Sequence, residues 1–451
     1  MKETIACIST PLGTGAISII RVSGEKCLDI AKKVFVCKQK DLEPRFLYLG
    51  DFVYNNIKDK CLMAHFKAPL SYTGEDMVEF QCHGGEFLAQ NILQALIECG
   101  ARLAENGEFS KRAFLNGKLT LDKAEGIIDV INATSEAELK AGYRMLKGEL
   151  NKKVKEFQNK LTGCLASLEV TLDYPEHDDE EITLKQTKTM LLDLEDQMQK
   201  LLSTSKAGKI IKNGINIAIV GKPNVGKSSL LNALIGEERA IVTNIAGTTR
   251  DTITETISYN GMKFNFIDTA GIRESVDVVE KIGIERSKQS IKESDLVLLL
   301  LDNSQELSEE DKILLELTKN EKRIIIFNKS DISNILFRNF SKERKFDEQN
   351  LVEISALKQE NVEKIKQLIF DKVVDEKMDT SGLILTNIRQ TNNLKNSIEI
   401  IHEATSACDF ETVDIVAFLV RRVWEELGKI TGETEIESVV DEIFSKFCLG
   451  K

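Results

Sequence analysis

Gly221-Lys222-Pro223-Asn224-Val225-Gly226-Lys227-Ser228 decides the fold. The stretch has P-loop spacing: a glycine, four residues, then Gly-Lys-Ser. Its surroundings fit in both directions. The apolar run 215–220 before it reads as a buried strand, and 228–235 after it as an amphipathic helix closed by Gly236. Glycines let the backbone fold around phosphate oxygens, and free N–H groups at the helix start point at the bound anion. Lys227 is placed to reach β- and γ-phosphates and the Ser228 hydroxyl to sit on Mg²⁺, while Asn224, Val225, Gly226 and Ser229 complete the cradle. The expectation is a nucleotide-binding loop.

Beyond it, apolar runs at 215–220, 263–267, 296–301, 323–327 and 351–354 alternate with helical stretches. Such alternation predicts a mostly parallel sheet covered by helices. Asn328-Lys329-Ser330-Asp331 directly follows one of these runs. A carboxylate at Asp331 can accept both the N1–H and the 2-amino hydrogens of guanine, which adenine does not offer. Asn328 would brace this loop, and Ser355-Ala356 would close over the base. Asp268-Thr269-Ala270-Gly271 ends another run, with Asp268 for the Mg²⁺ shell and the Gly271 N–H for the γ-phosphate. Thr249, within Gly247-Thr248-Thr249-Arg250-Asp251, is the natural second Mg²⁺ ligand.

One position departs from Ras-like GTPases. Where they carry a glutamine to orient the attacking water, this chain has Ile272, which cannot hydrogen-bond. Glu280 is the best nearby acid for that task, the plainer reading being a solvated helix-face glutamate. Charge developing on phosphate calls for a cation, supplied by Arg250, Arg273 or a bound monovalent ion. The neutral amide oxygen of Asn224 suits K⁺.

At 451 residues the chain is too long for one ordinary core. The expected domains are an α/β region over 1–118, a helical region over 119–213, a P-loop GTPase domain over 214–374, and a second helical part over 375–451. The fold class is therefore multidomain, with one discontinuous all-α domain interrupted by an inserted α/β domain. With 42% hydrophobic and 29% charged residues the composition is that of a soluble globular protein. No apolar run is long enough for a membrane span, and the start lacks a signal-peptide core. The 9 cysteines form no C-x-x-C pair and only 4 histidines are present, which suits reduced thiols in a cytoplasm better than a zinc site. A net charge of −12 argues against generic polyanion binding, so RNA must meet a local basic patch or a partner's surface.

Outside the P-loop set stand Ser71-Tyr72-Thr73-Gly74-Glu75-Asp76, His83-Gly84-Gly85, Arg112-Ala113-Phe114-Leu115-Asn116-Gly117-Lys118, the stretch 240–251, and Phe447-Cys448-Leu449-Gly450-Lys451. With these in place the chain resembles the MnmE (TrmE) tRNA-modification GTPases from end to end. The resemblance implies a homodimer built on the N-terminal domain, which also binds 5-formyltetrahydrofolate through Arg21, Glu79, Lys118 and Lys451. It places K⁺ at Asn224, Thr243, the Ile245 carbonyl and Thr248, within a loop of Thr243, Asn244, Ile245, Ala246, Gly247 and Thr248 over GTP. It makes Glu280 the water-orienting acid and Cys448 the family's terminal cysteine, open as a nucleophile, a folate neighbour or a merely buried thiol. It further implies an FAD-dependent MnmG-type partner in a heterotetramer, and a carboxymethylaminomethyl-type addition to C5 of the wobble uridine in tRNA. The rival expectations are a regulatory or ribosome-assembly GTPase without covalent RNA chemistry, and a stand-alone folate-dependent transferase with an accessory GTPase.

Overall fold

Two β-sheets, each with its own core, organise the computed structural model, which describes residues 3–39, 41–174, 180–236, 255–267, 288–333, 335–342, 350–373 and 382–450. The first sheet comprises β1 (Ile5–Ile8), β2 (Ile17–Ser23), β3 (Phe35–Cys37), β4 (Leu47–Tyr54), β5 (Ile57–Phe66), β6 (Met77–His83) and β7 (Arg102–Leu103). Their order is β3-β4-β5-β6-β2-β1-β7, and only the β1–β7 pair is parallel. Alternate residues Ile20, Val22, Phe52, Met63, Val78 and Phe80 point to one face, where α1 (Cys27–Val34) and α2 (Glu86–Glu98) bury them. The mix of strands with α1 and α2 is what an α/β region over 1–118 calls for. The β4–β5 hairpin is not anticipated, because Gly50, Asp51, Lys58, Asp59 and Lys60 dilute its apolar alternation. A short α3 (Glu108–Leu115) follows β7.

The region expected to be helical over 119–213 begins with α4 (Leu121–Asn132), α5 (Glu136–Leu146) and α6 (Glu149–Asp173), the last break falling at Gly148 with φ +77°. Next come α7 (Glu180–Ser203) and α8 (Ser205–Asn213).

The second sheet then begins. It holds β8 (Ile215–Val220), β9 (Glu255–Tyr259), β10 (Met262–Ile267), β11 (Leu296–Asp302), β12 (Arg323–Asn328) and β13 (Leu351–Glu353) in the order β13-β12-β11-β8-β10-β9. All its pairs are parallel except β9–β10. Interleaved are α9 (Lys227–Ile235), α10 (Glu309–Leu317), α11 (Ile335–Lys342) and α12 (Val362–Val373). Both faces are buried, which is why the strands read as continuous apolar runs. Ile217, Leu298, Leu300 and Ile326 pack with Leu230, Leu234, Ile365 and Ile369 on one side. Val220, Leu299, Leu301 and Phe327 pack with Leu314, Leu336 and Phe340 on the other.

The chain closes with α13 (Ile388–Ala407), α14 (Val413–Thr431) and α15 (Glu437–Ser445). Helices α6 and α14 run antiparallel side by side, with Gln158 Nε2 donating to the Trp424 carbonyl at 3.3 Å and Arg421 paired with Glu169 at 2.9 Å. By compactness the chain forms two units, one of residues 1–128, 142–198 and 392–451, the other of 129–141 and 199–391.

Candidate functional site

In the second unit the sheet reverses direction of growth at β8, with β11 on one side and β10 on the other. A crevice at the carboxyl ends of the strands forms at such a switch point, and the P-loop lies there. Asn224 (φ +59°) and Gly226 (φ +102°) both take left-handed backbone conformations, turning the loop back before α9 starts at Lys227. At Gly226 only glycine fits, since a Cβ would collide with Asn328 Nδ2. Val225 is fully buried beneath the loop, while Ser228 and Ser229 are exposed on the first turn of α9. Lys227 Nζ donates to the carbonyls of Gly221 at 2.6 Å and Lys222 at 2.9 Å. Burial pushes its ammonium below the ordinary lysine range, with the charge of Glu310 opposing. A half-buried cation bonded to neutral carbonyls in these contacts is chemically suited to a phosphate.

The end of β12 joins the loops. Asn328, buried, donates through Nδ2 to the Val225 carbonyl at 2.8 Å and accepts through Oδ1 from the Ala356 N–H at 3.0 Å. One side chain thus ties the P-loop to the segment carrying Ser355 and Ala356. Ser355 Oγ donates to Asp331 Oδ1 at 2.8 Å, and the Ser330 N–H to the Ile354 carbonyl at 3.0 Å, fixing the loop at its far end. Lys329 adopts φ +68° and pairs with Asp302 at 2.6 Å. Burial would raise the Asp302 carboxyl, but Lys329 and Ser304 outweigh it and hold the group below the usual carboxylate range.

Sequence reasoning did not find Asp302, nor the pair of Lys222 with Asp311 at 2.9 Å beside the P-loop. The only signal for Asp302 was a charge ending the run of leucines in β11. Of the other expected nucleotide, Mg²⁺ and K⁺ residues, Thr243, Asn244, Ile245, Ala246, Gly247, Thr248, Thr249, Asp268, Thr269, Ala270 and Gly271 lie outside the described residues, as do Arg250, Arg273 and Glu280.

The first unit gathers a second set. Arg21 on β2 lies directly opposite Glu79 on β6, and the two side chains pair at 2.8 Å. Arg21 Nη1 also donates to the Gly450 carbonyl at 3.2 Å, as does Ser9 Oγ at 3.2 Å. Its guanidinium lies 5.3 Å from the ring centroid of Tyr72 and 5.6 Å from that of Phe109. Tyr72 is held by Ser110 at 2.7 Å, and its loop by Asn116 donating to the Thr73 carbonyl at 2.7 Å. Arg112, buried, binds Glu75 at 3.0 Å and Glu108 at 2.9 Å. Lys118 is exposed, its stem beside Gly74 of the same loop. Cys448 is exposed two residues before Gly450, and Lys451 lies outside the described residues. Tyr72 and Phe109 were missed as partners of Arg21 because nothing in their spacing links them to β2.

Comparison with known proteins covers nearly the whole chain. The family model described as GTP-binding protein TrmE N-terminus matches residues 4–118, and that of the MnmE helical domain matches 121–448. A Clostridioides difficile protein named tRNA modification GTPase MnmE is 42% identical over 100% of both chains. One of the same name from Lactobacillus gasseri is 42% identical over 100% of this chain and 98% of its own. A crystal structure of Era with MgGDPNP and 16S ribosomal RNA nucleotides, 28% identical, covers 41% of this chain and 66% of that one at a TM-score of 0.29, and adds nothing to the assignment. With a guanine-type NKxD loop bound to a P-loop by Asn328, and both family models matched in order, the chain belongs to the MnmE family of tRNA modification GTPases.

Proposed function

We propose that this chain binds and hydrolyses GTP at the carboxyl ends of its parallel sheet, and uses that cycle in tRNA modification. The observation that carries the reading is the double hydrogen bond of Asn328, which joins the phosphate cradle to the loop segments of Asp331 and Ser355. In this reading Lys227 binds the phosphates, Asp331 accepts from the guanine edge, and Ser355-Ala356 covers the base. Glu280 orients the attacking water in place of the glutamine that Ile272 displaces, with Arg250 and Arg273 near the developing charge. Ser228, Thr249 and Asp268 suit Mg²⁺, and Asn224, Thr243, the Ile245 carbonyl and Thr248 suit K⁺; these ions supply positive charge to the phosphates.

The domain roles follow the expected boundaries. Residues 1–118 dimerise and bind 5-formyltetrahydrofolate with Arg21, Glu79, Lys118 and Lys451, while 119–213 and 375–451 form one helical domain around the GTPase domain of 214–374. The Arg21–Glu79 pair fits a folate in charge, since a guanidinium can take a glutamate carboxylate and a carboxylate can take pterin N–H groups. With an FAD-dependent partner, and Cys448 at the folate end, the product is a carboxymethylaminomethyl-type group on C5 of the wobble uridine. The test is nucleoside analysis of tRNA from a deletion strain, with GTP hydrolysis by the purified chain. Loss of the modified uridine on deletion is expected; unchanged tRNA with intact GTP hydrolysis would point to an assembly GTPase instead.

A further inference from the structure

Lys222, the second residue of the P-loop stretch, does not point to water. Its side chain is 13% exposed and its Nζ binds Oδ2 of Asp311, itself 2% exposed, at 2.9 Å. That same oxygen accepts from the Ser308 N–H at 2.9 Å and from Ser308 Oγ at 2.7 Å, forming the cap of α10. Meanwhile the main-chain carbonyl of Lys222 is one of the two that receive Lys227 Nζ. A continuous chain of contacts therefore runs from the start of α10, through the side chain and then the backbone of Lys222, to the lysine that faces the phosphates.

A helix cap alone does not explain this arrangement. Capping needs only Ser308 and an acceptor at Asp311. Burying a lysine beside it costs desolvation, which an apolar residue at the same place would avoid. What the ion pair adds is a fixed position for the Lys222 peptide. We propose that Asp311 is a positioning residue for the P-loop: by holding the Lys222 side chain it fixes the carbonyl that presents Lys227, so the ammonium waits in one place before nucleotide arrives. A pre-set donor avoids an ordering cost at binding and stays aligned as charge develops on the phosphates.

The inference rests on the GTPase reading, and its test separates the two. GTP affinity and steady-state hydrolysis are measured for the full chain and for Asp311→Asn, Lys222→Met, the double variant and Ser308→Ala. No GTP binding by the wild-type chain would remove the GTPase reading itself. Given wild-type binding, Asp311→Asn is expected to weaken GTP affinity and lower kcat by about fivefold to tenfold each, and to add nothing in the Lys222→Met background. Ser308→Ala, which removes the capping hydroxyl but leaves the ion pair, should lower thermal stability while keeping GTP affinity within about twofold. Asp311→Glu should restore part of what Asp311→Asn loses, and circular dichroism identifies any variant that fails to fold, in which case Lys222→Gln with Asp311 intact replaces it. Equal GTP binding by Asp311→Asn and wild type, or an undiminished Asp311→Asn effect when Lys222 is already methionine, would overturn the proposal.

Discussion

In the proposed GTP site the choice of base falls to one carboxylate, Asp331. Its Oδ1 is held by Ser355, and a carboxylate offers acceptors only, matching the two donors on the guanine edge. In Asp331→Asn one acceptor becomes a donor. GTP affinity should fall on the order of 100-fold, and XTP, whose 2-oxo group accepts, should gain. Competition binding with the two nucleotides measures the exchange, and a variant still preferring GTP would refute the role of Asp331. Lys227 yields a pH prediction. In the free chain burial holds its ammonium below the ordinary range, whereas phosphate oxygens would favour the charged form. GTP binding should therefore take up a proton at alkaline pH, and affinity should fall as pH rises through the free-chain value. Calorimetry in two buffers of different ionisation enthalpy detects the uptake; equal heats would contradict it. The places of Lys227 in the P-loop and of Asp331 after β12 could be read from spacing alone. The contacts of Asp302, Asp311 and Tyr72 could not, because their partners lie far along the chain or on another strand and only folding brings them together.

At the scale of elements, legibility followed burial. Strands of the second sheet are covered on both faces, so they appear as apolar runs that composition alone reveals. The hairpin of β4 and β5 and the edge strand β9 mix charged and polar residues into their alternation, and the period-two signal fades. Helix α8 makes a separate point about packing. Gly208 in its middle would ordinarily gain about 1 kcal/mol of helix propensity as alanine. Here a Cβ would collide with the main-chain carbonyl of Leu385, whose N–H is held by Thr204 Oγ1 at 3.2 Å. The clash should win: Gly208→Ala is expected to destabilise the second unit by about 2 kcal/mol or more. Urea unfolding followed by the midpoint decides, and a stabilised variant would show that the two segments part freely.

For the whole molecule, two sheets with separate cores and two distinct polar sites imply two stability problems in one chain. A ligand that binds one folded unit stabilises it by mass action, about 2.7 kcal/mol at a hundredfold excess over Kd. Calorimetric scans should accordingly show GTP raising one transition and a reduced folate raising the other. A single transition moved equally by both would mean the units unfold as one. The interruption of a helical region by an α/β unit was visible in the sequence as helical blocks on either side of the P-loop motifs. Which residues of α4 and α5 would side with which unit was not, because compactness divides both helices along their length.

The meeting of Thr204 and Gly208 with Leu385 has a last consequence. Segments some 180 positions apart in the chain, 204 and 385, are pinned to one another, so the stretch between them is closed at its two ends. Closing a loop becomes only slowly costlier with its length. The length of what lies between the pinned ends therefore adds little to the cost of holding them together.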